Sequence, residues 1–324
     1  MKAILCTRFG TPDDLVLADI AEPTPAPGEV IAKVAAVGLN FFDTLIIAGK
    51  YQKKPPFPFS PCGEFTGIVE SVGKGVTAFA PGDRVLGYCT FGAARERIAV
   101  AADKLVKFDV DLDLARAAGL AITYGTSYHA LTNRAHLKAG ETLAVLGAAG
   151  GVGLAAVELG KLMGARVIAC AGSDDKLAFA RSHGADATVN YATHDLRNAL
   201  KELGGDHGID VIFDPVGGAY SEAALRAISW QGRHLVIGFA AGEIPKLPLN
   251  LTLLKGCGVL GVYFGDWVRH DPQAYRAALG RLAHWAAEGK LSCHVHQVYP
   301  LAETAQALKA LTQRQAMGKV IVQP

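Results

Sequence analysis

The stretch "VLGAAGGVGLAAVELGKLMG", residues 145–164, decides the fold. An apolar strand ends at Leu146, small residues run from Gly147 to Gly153, and apolar residues then recur at helical spacing. A strand that turns through glycines into a helix offers an anion the helix N-terminus, with its free N–H groups and positive dipole end. Gly150, without a Cβ, lets the backbone approach a pyrophosphate, and Gly153 lets the helix pack closely on the strand. Ala148 stands where the usual G-x-G-x-x-G pattern has its first glycine, so the signal rests on Gly150, Gly151, Val152 and Gly153 in their strand–loop–helix setting.

Around this loop, apolar strands alternate with helical segments. The strands are "ETLAVLGA", "ARVIACAG", "DATVNY", "IDVIFDPV", "RHLVIGF" and "CGVLGVYFG". Helices are predicted over Gly151–Met163, Asp174–His183, Thr193–Leu203 and Tyr220–Ile228. Such alternation argues for right-handed βαβ units and a six-stranded parallel sheet covered on both faces, a complete doubly wound nucleotide-binding domain.

The first 115 residues read differently, as short apolar runs broken by Gly and Pro, such as "GEVIAKVAAVGL", "GIVESVG" and "GDRVLGY". That texture predicts a small, mostly β domain. "KKPPFPFSP" is read as loop, because its prolines remove donors and force extended or turning backbone. "DLARAAGLAITYGTSYHALTNRA" is Ala-rich with helical spacing and is expected to link the domains as a helix. The expected domains are therefore 1–115, mostly β, and 116–265, nucleotide-binding, with 266–324 returning to the first.

At 324 residues the chain is long enough for two cores. Half of it is hydrophobic and 19% is charged, as in a globular enzyme rather than a disordered chain. The formal net charge of +2, without a long basic run, points away from nucleic acid and acidic membranes. Neither a membrane span nor a signal peptide is legible, so a cytoplasmic protein is expected. Cysteines at 6, 62, 89, 170, 257 and 293 include no CxxC pair, which removes a redox motif and a zinc knuckle and favours buried thiols in a reducing compartment.

Cofactor choice is read at the end of the second strand of the parallel domain. A carboxylate there would hold the ribose hydroxyls of NAD, but the strand ends at Ala171 and Gly172. Ser173 and Lys176 follow, suited to donate to and neutralise a phosphate, with Tyr191 placed to lie over the same site. Asp174 and Asp175 are read as first-turn acids of the next helix. NADPH is the expected cofactor.

With these elements in order, the chain resembles the medium-chain dehydrogenase/reductase superfamily, and within it the zinc-free, zeta-crystallin-like NADPH:quinone oxidoreductases. The resemblance spans essentially the whole chain and rests on "AVGLNFFDTLIIAGKY", "CGEFTGIVESVGKGV", "PGDRV", "AAGGVG", "GADATVNY" and "MGKVIV" together. It implies an α/β protein with a GroES-like, mostly β catalytic domain and a Rossmann domain.

In zinc-dependent members a catalytic Cys would stand at Asn40, a His at Gly63 and a further Cys near Leu120–Ala121. None is present, and only Cys89 lies where the four structural-zinc cysteines would be, so no metal is expected. Glu64 is read as a buried structural acid and Cys62 as a small packed residue.

By the same resemblance, Asn40, Asp43 and Tyr51 line the acceptor side, where Asn40 or Tyr51 would donate to the acceptor oxygen. A capping role for Asn40 and Asp43, and loop packing for Tyr51, stand beside that reading. Thr126, Gly238, Phe239 and Phe264 are placed around the nicotinamide, and Phe41 and Phe42 in core or pocket wall. His294 and His296 are read as surface residues. A homodimer is implied through the edge strand near 257–265. The expected activity is metal-free hydride transfer from NADPH to a quinone. Reduction of α,β-unsaturated compounds (enone, 2-alkenal or enoyl-CoA), with Lys50, Lys53 and Lys54 meeting acyl-CoA phosphates, is the alternative, as is a non-catalytic NADPH-binding protein.

Overall fold

The computed structural model describes residues 1–324. The chain begins with β1 (Lys2–Leu5), β2 (Val16–Asp19), β3 (Glu29–Leu39), α1 (Phe41–Ile47) and β4 (Glu64–Val72). It continues through β5 (Arg84–Tyr88), β6 (Arg97–Ala101), β7 (Leu105–Lys107), α2 (Leu114–Ala117) and α3 (Gly125–Tyr128). Strand–helix alternation follows, as β8 (Thr142–Leu146), α4 (Gly151–Leu162), β9 (Arg166–Ala171), α5 (Asp174–Ser182), β10 (Ala187–Asn190) and α6 (Leu196–Gly204). Next come β11 (Ile209–Asp214), α7 (Ala219–Leu225), β12 (Ile228–Val236), α8 (Asn250–Lys255), β13 (Gly258–Gly261) and α9 (Phe264–His270). The chain closes with α10 (Pro272–Ala287), β14 (Val295–Pro300), α11 (Thr304–Thr312) and β15 (Lys319–Gln323). Two compact units result: Met1–Thr123 with Asp271–Gly289 and Cys293–Pro324, and Tyr124–His270 with Lys290–Ser292.

In the first unit, seven strands form one sheet in the order β14-β15-β3-β4-β5-β7, with β6 also pairing β3. The long strand β3 organises it by pairing β4, β6 and β15, all antiparallel. Its side chains and those of β4 and β15 close a core with Val37, Leu39, Phe65, Val320 and Val322 fully or almost fully buried. Each such side chain contributes roughly 1.5–3 kcal/mol relative to exposure.

In the second unit, six parallel strands run in the order β10-β9-β8-β11-β12-β13. This is the doubly wound order of dinucleotide-binding folds, with the expected six strands. All six residues of β11 are buried, Asp210 and Asp214 included, as expected of a strand inside a parallel sheet covered on both faces.

Three helix expectations are corrected. The stretch expected as one linking helix is four residues of α2, then π-helical turns at Leu120–Tyr124 and His129–Arg134 flanking α3. The Ile122 N–H is taken by the Glu64 carboxylate at 2.7 Å, so it is lost to the ordinary helical ladder and the turn widens. The segment predicted over Tyr220–Ile228 stops at Leu225, and Ile228 opens β12, where Gln231 at φ +59° lets the strand bend. The helix predicted from Thr193 starts later, at Leu196, because the Asp195 carboxylate caps the Asn198 N–H at 2.8 Å.

Candidate functional site

The glycine loop lies at the carboxyl end of β8. Gly147 adopts φ +59°, and a Cβ on Gly153 would collide with the Gly147 carbonyl oxygen, so both small residues are required for helix α4 to start against the strand. Gly150 differs: an added methyl would meet only the Gly147 oxygen, at 3.4 Å. Internal packing therefore does not require a glycine at 150. Gly150 is the N-cap of α4 and makes no side-chain cap, so the first-turn N–H groups of Gly151, Val152 and Gly153 have no intrahelical acceptors. Ala148 and Ala149 are buried, and Ser127 on α3 donates to the Val152 carbonyl at 2.8 Å, bracing the loop from below. Thr126 is buried beside it on α3.

Other expected cofactor residues gather at the same end of the parallel sheet. Ser173 is the N-cap of α5 without a side-chain cap bond, and Lys176 lies half-buried one turn on. Tyr191 follows β10, its N–H bound to the Ala171 carbonyl at 3.1 Å, and its ring stands 3.3 Å from where a Cβ on Gly172 would be. Any side chain at Gly172 would therefore press on that ring. Asp174 is occupied elsewhere, accepting from Asn190 Nδ2 at 2.8 Å. Val216, in the turn after β11, approaches Gly147, and Phe239, following Gly238 beyond β12, lies against Gly217. Phe264 is buried at the start of α9 in an edge contact with Trp267, 6.0 Å between ring centroids. These residues form a cradle of small residues and free helix N–H groups with no carboxylate at the end of β9. The donor set fits a phosphorylated dinucleotide.

Sequence reasoning missed what shapes the turn beside the loop. Asp214 ends β11 buried, accepting the N–H groups of Val216 and Gly217 at 2.9 Å each, the Ser221 hydroxyl, and His234 Nε2 at 3.2 Å. Burial works against its charge, but the bonds from His234, Ser221 and Gly217 hold its pKa below the ordinary value. The only sequence signal was an acid closing an apolar strand before "PVGG".

The first unit carries the acceptor-side residues. Asn40 caps α1 and Asp43 is its third residue, forming a capping box in which Asp43 Oδ2 accepts the Asn40 N–H at 2.7 Å. The Asn40 side chain donates to the Gly38 carbonyl at 3.2 Å and to Glu64 Oε2 at 3.0 Å, and it accepts from Lys319 Nζ at 2.7 Å. Both of its amide protons are spent. Asp43 is wholly buried, and its Oδ1 has no hydrogen-bond partner. Burial lifts its pKa to about 7, with the Asn40 N–H and Lys319 opposing and the Glu64 charge adding. Tyr51 lies on the turn beyond α1, half-buried, its ring 5.5 Å from that of Phe42. Phe41 is exposed and Phe42 half-buried.

Glu64 and Cys62 are buried, as read from the sequence, and Cys62 holds φ +63°. A Cβ on Gly63 would collide with the Cys89 carbonyl oxygen, because β4 and β5 approach closely here. No larger side chain fits at that position without moving the sheet. No group of three His, Cys, Asp or Glu side chains is arranged to hold a metal ion. His294 and His296 are both half-buried.

A GroES-like unit joined to a doubly wound dinucleotide unit with this glycine loop defines a medium-chain dehydrogenase/reductase. A family model described as "Alcohol dehydrogenase GroES-like domain" matches residues 26–110, and one described as "Zinc-binding dehydrogenase" matches 151–284. The "Quinone oxidoreductase-like protein 2" of Rattus norvegicus is 36% identical over 322 residues, covering 99% of this chain and 91% of its own. The quinone oxidoreductase of Homo sapiens is 33% identical over 327 residues, covering 99% and 97%. Among solved structures, the Escherichia coli quinone oxidoreductase complexed with NADPH superposes with a TM-score of 0.92 at 28% identity, covering 100% of both chains. A 2-haloacrylate reductase superposes with a TM-score of 0.86 at 28% identity, covering 100% of this chain and 99% of its own. The chain belongs to the zinc-free quinone oxidoreductase family of that superfamily. Although one matching model is named for zinc, the residues at the metal's position do not fit it: Asn40 is fully hydrogen-bonded and Gly63 has no room for a ligand side chain.

Proposed function

We propose that this protein is an NADPH-dependent quinone oxidoreductase that delivers a hydride, without a metal, to a quinone or a similarly electrophilic acceptor. The observation that carries this reading is the phosphate cradle at Gly150–Gly153 together with the carboxylate-free end of β9, in a chain similar over its whole length to quinone oxidoreductases. NADPH, when bound, supplies the hydride. Gly151, Val152 and Gly153 bind its pyrophosphate through their N–H groups, while Ser173 and Lys176 hold the 2′-phosphate and Tyr191 covers it. Thr126, Gly238, Phe239 and Phe264 bound the nicotinamide and exclude water. A quinone is already electrophilic, so the protein has mainly to position it and donate to the developing oxyanion. Tyr51 takes the donor role, because the amide protons of Asn40 are committed. Asn40 and Asp43 fix the start of α1 beneath it.

A second reading has its own support. The 2-haloacrylate reductase acts in name on an activated double bond. The exposed Lys50, Lys53 and Lys54 fit an anionic acceptor such as an enoyl-CoA. Steady-state NADPH oxidation with 1,4-benzoquinone, simple enones, 2-haloacrylate and crotonyl-CoA decides between them. The quinone is expected to give the highest kcat/KM, and a tenfold advantage for any unsaturated carbonyl compound would overturn the first reading. Tight NADPH binding with no turnover would leave a non-catalytic role.

We also infer a homodimer. Strand β13 has a neighbour on one side only, and around it Leu249, Leu253, Leu254 and Val259 are exposed. Pairing this edge with its copy, over the stretch 257–265, would cover both an open ladder and apolar surface. Sedimentation equilibrium should give twice the chain mass. No helix is long and apolar enough to cross a membrane, and all six cysteines are free, which fits a cytoplasmic location.

A further inference from the structure

Lys319 opens the last strand, β15, and its ammonium ends inside the first unit with only 5% of the side chain exposed. It donates to Glu64 Oε2 at 2.6 Å and to Asn40 Oδ1 at 2.7 Å. Its stem runs past two glycines. A methyl on Gly38 would collide first with the Ala118 carbonyl oxygen and then lie 2.7 Å from Lys319 Cε, and one on Gly119 would lie 3.2 Å from its Cγ. The partner carboxylate is wholly buried and spends its other oxygen on the Ile122 N–H.

Burying an ion pair gains little stability over apolar residues of the same size, since desolvation offsets the attraction. Packing alone does not account for an ammonium enclosed between a buried carboxylate and a buried amide. What the arrangement does fix is orientation. An ammonium facing Asn40 can donate only to the oxygen of that amide, which sends both amide protons to Gly38 and Glu64. Asn40 in turn caps α1, whose Phe42 packs on Tyr51. Glu64, 2.6 Å away, cancels most of the ammonium's field at longer range, so the effect is on geometry rather than potential.

We propose that Lys319 is a positioning residue for the acceptor half of the reaction: its buried ammonium ties Asn40, at the position of a zinc ligand in the metal-dependent relatives, to Glu64, and so holds α1 and Tyr51 in register. The inference rests on the hydride-transfer reading above for its kinetic consequence, but not for its structural one. Lys319→Met alone leaves a lone buried carboxylate and is expected to unfold the unit. The informative protein is therefore the double variant Lys319→Met, Glu64→Gln, which removes both charges and keeps an acceptor for the Ile122 N–H.

In the full-length protein without cofactor, hydrogen exchange at the amides of α1 should accelerate at least tenfold in the double variant, with the parallel sheet of the second unit unchanged. The Kd for NADPH should stay within twofold and kcat with 1,4-benzoquinone should fall at least tenfold. Unchanged exchange in α1 would overturn the proposal even if the wild type reduced no quinone, an outcome that would refute the functional reading instead. A kcat within twofold of wild type would overturn it as well. Failure of the double variant to fold, or equal loss of NADPH binding, would show the ion pair to be a general structural support and would likewise overturn it.

Discussion

Replacing Asp43 by Asn tests the buried acid directly. The carboxyl is wholly enclosed, faces Glu64 and Lys319 and lies near Cys62 and Cys89, and its Oδ1 finds no partner. Burial is the main cause that lifts its pKa from 3.8 to about 7. In the unfolded chain the group ionises near pH 4, whereas in the folded chain it keeps its proton to about pH 7. Between those values the folded state binds more protons than the unfolded one, so stability falls as pH rises through the window and is lost in full above it. At 1.36 kcal/mol per pH unit the displacement corresponds to about 4 kcal/mol.

Asn at this position keeps an oxygen for the Asn40 N–H and never ionises. The Asp43→Asn variant should therefore gain on the wild type steadily from pH 4.5 to 8, by about 2–4 kcal/mol in total. Guanidinium unfolding at constant ionic strength, following the transition of the first unit, measures this. A difference between the two proteins that stays flat within 0.5 kcal/mol across about pH 4.5–8 would refute the reasoning. So would a wild type that gains stability relative to the variant as pH rises.

Two further outcomes follow from the cofactor loop. Gly153→Ala forces a methyl against the Gly147 carbonyl oxygen, so α4 must shift from β8; NADPH affinity should fall about tenfold or more, read by fluorescence titration, with a stability loss of about 1–3 kcal/mol. Lys176→Ala removes the cation proposed for the 2′-phosphate; NADPH binding should weaken by about 10–100-fold while NADH binding moves less than threefold, and equal loss for both cofactors would take Lys176 out of that site.

Much of the second unit was legible from local pattern. Glycines at 147, 150 and 153 encode a turn and a close approach that depend on residues within one strand–loop–helix unit, and the apolar core of β11, Val211–Phe213, marks a buried strand. The helical stretch after Leu114 was misread because its geometry answers to Glu64, a residue more than fifty positions away that captures the Ile122 N–H. Tyr220–Ile228 was misread because Ala-rich spacing does not mark where a helix must yield to a parallel strand.

What the sequence by itself determined is the nucleotide unit and the carboxylate-free end of β9, since each depends on which residue type stands at a position, and the resemblance to zinc-dependent relatives adds that 40, 63 and 120–121 carry none of their metal ligands. Only the tertiary structure decided that Asn40 has no amide proton left to give. It also decided that Gly63 is hemmed in by the Cys89 backbone just beyond β5, and that Glu64 pairs with Lys319, 255 residues along the chain. A lone lysine at the head of "KVIVQ" was the only trace of that pair in the sequence. Its meaning comes from the register of β15 against β3 and from the buried Glu64 and Asn40 that its ammonium meets, relations between distant segments that no local pattern carries.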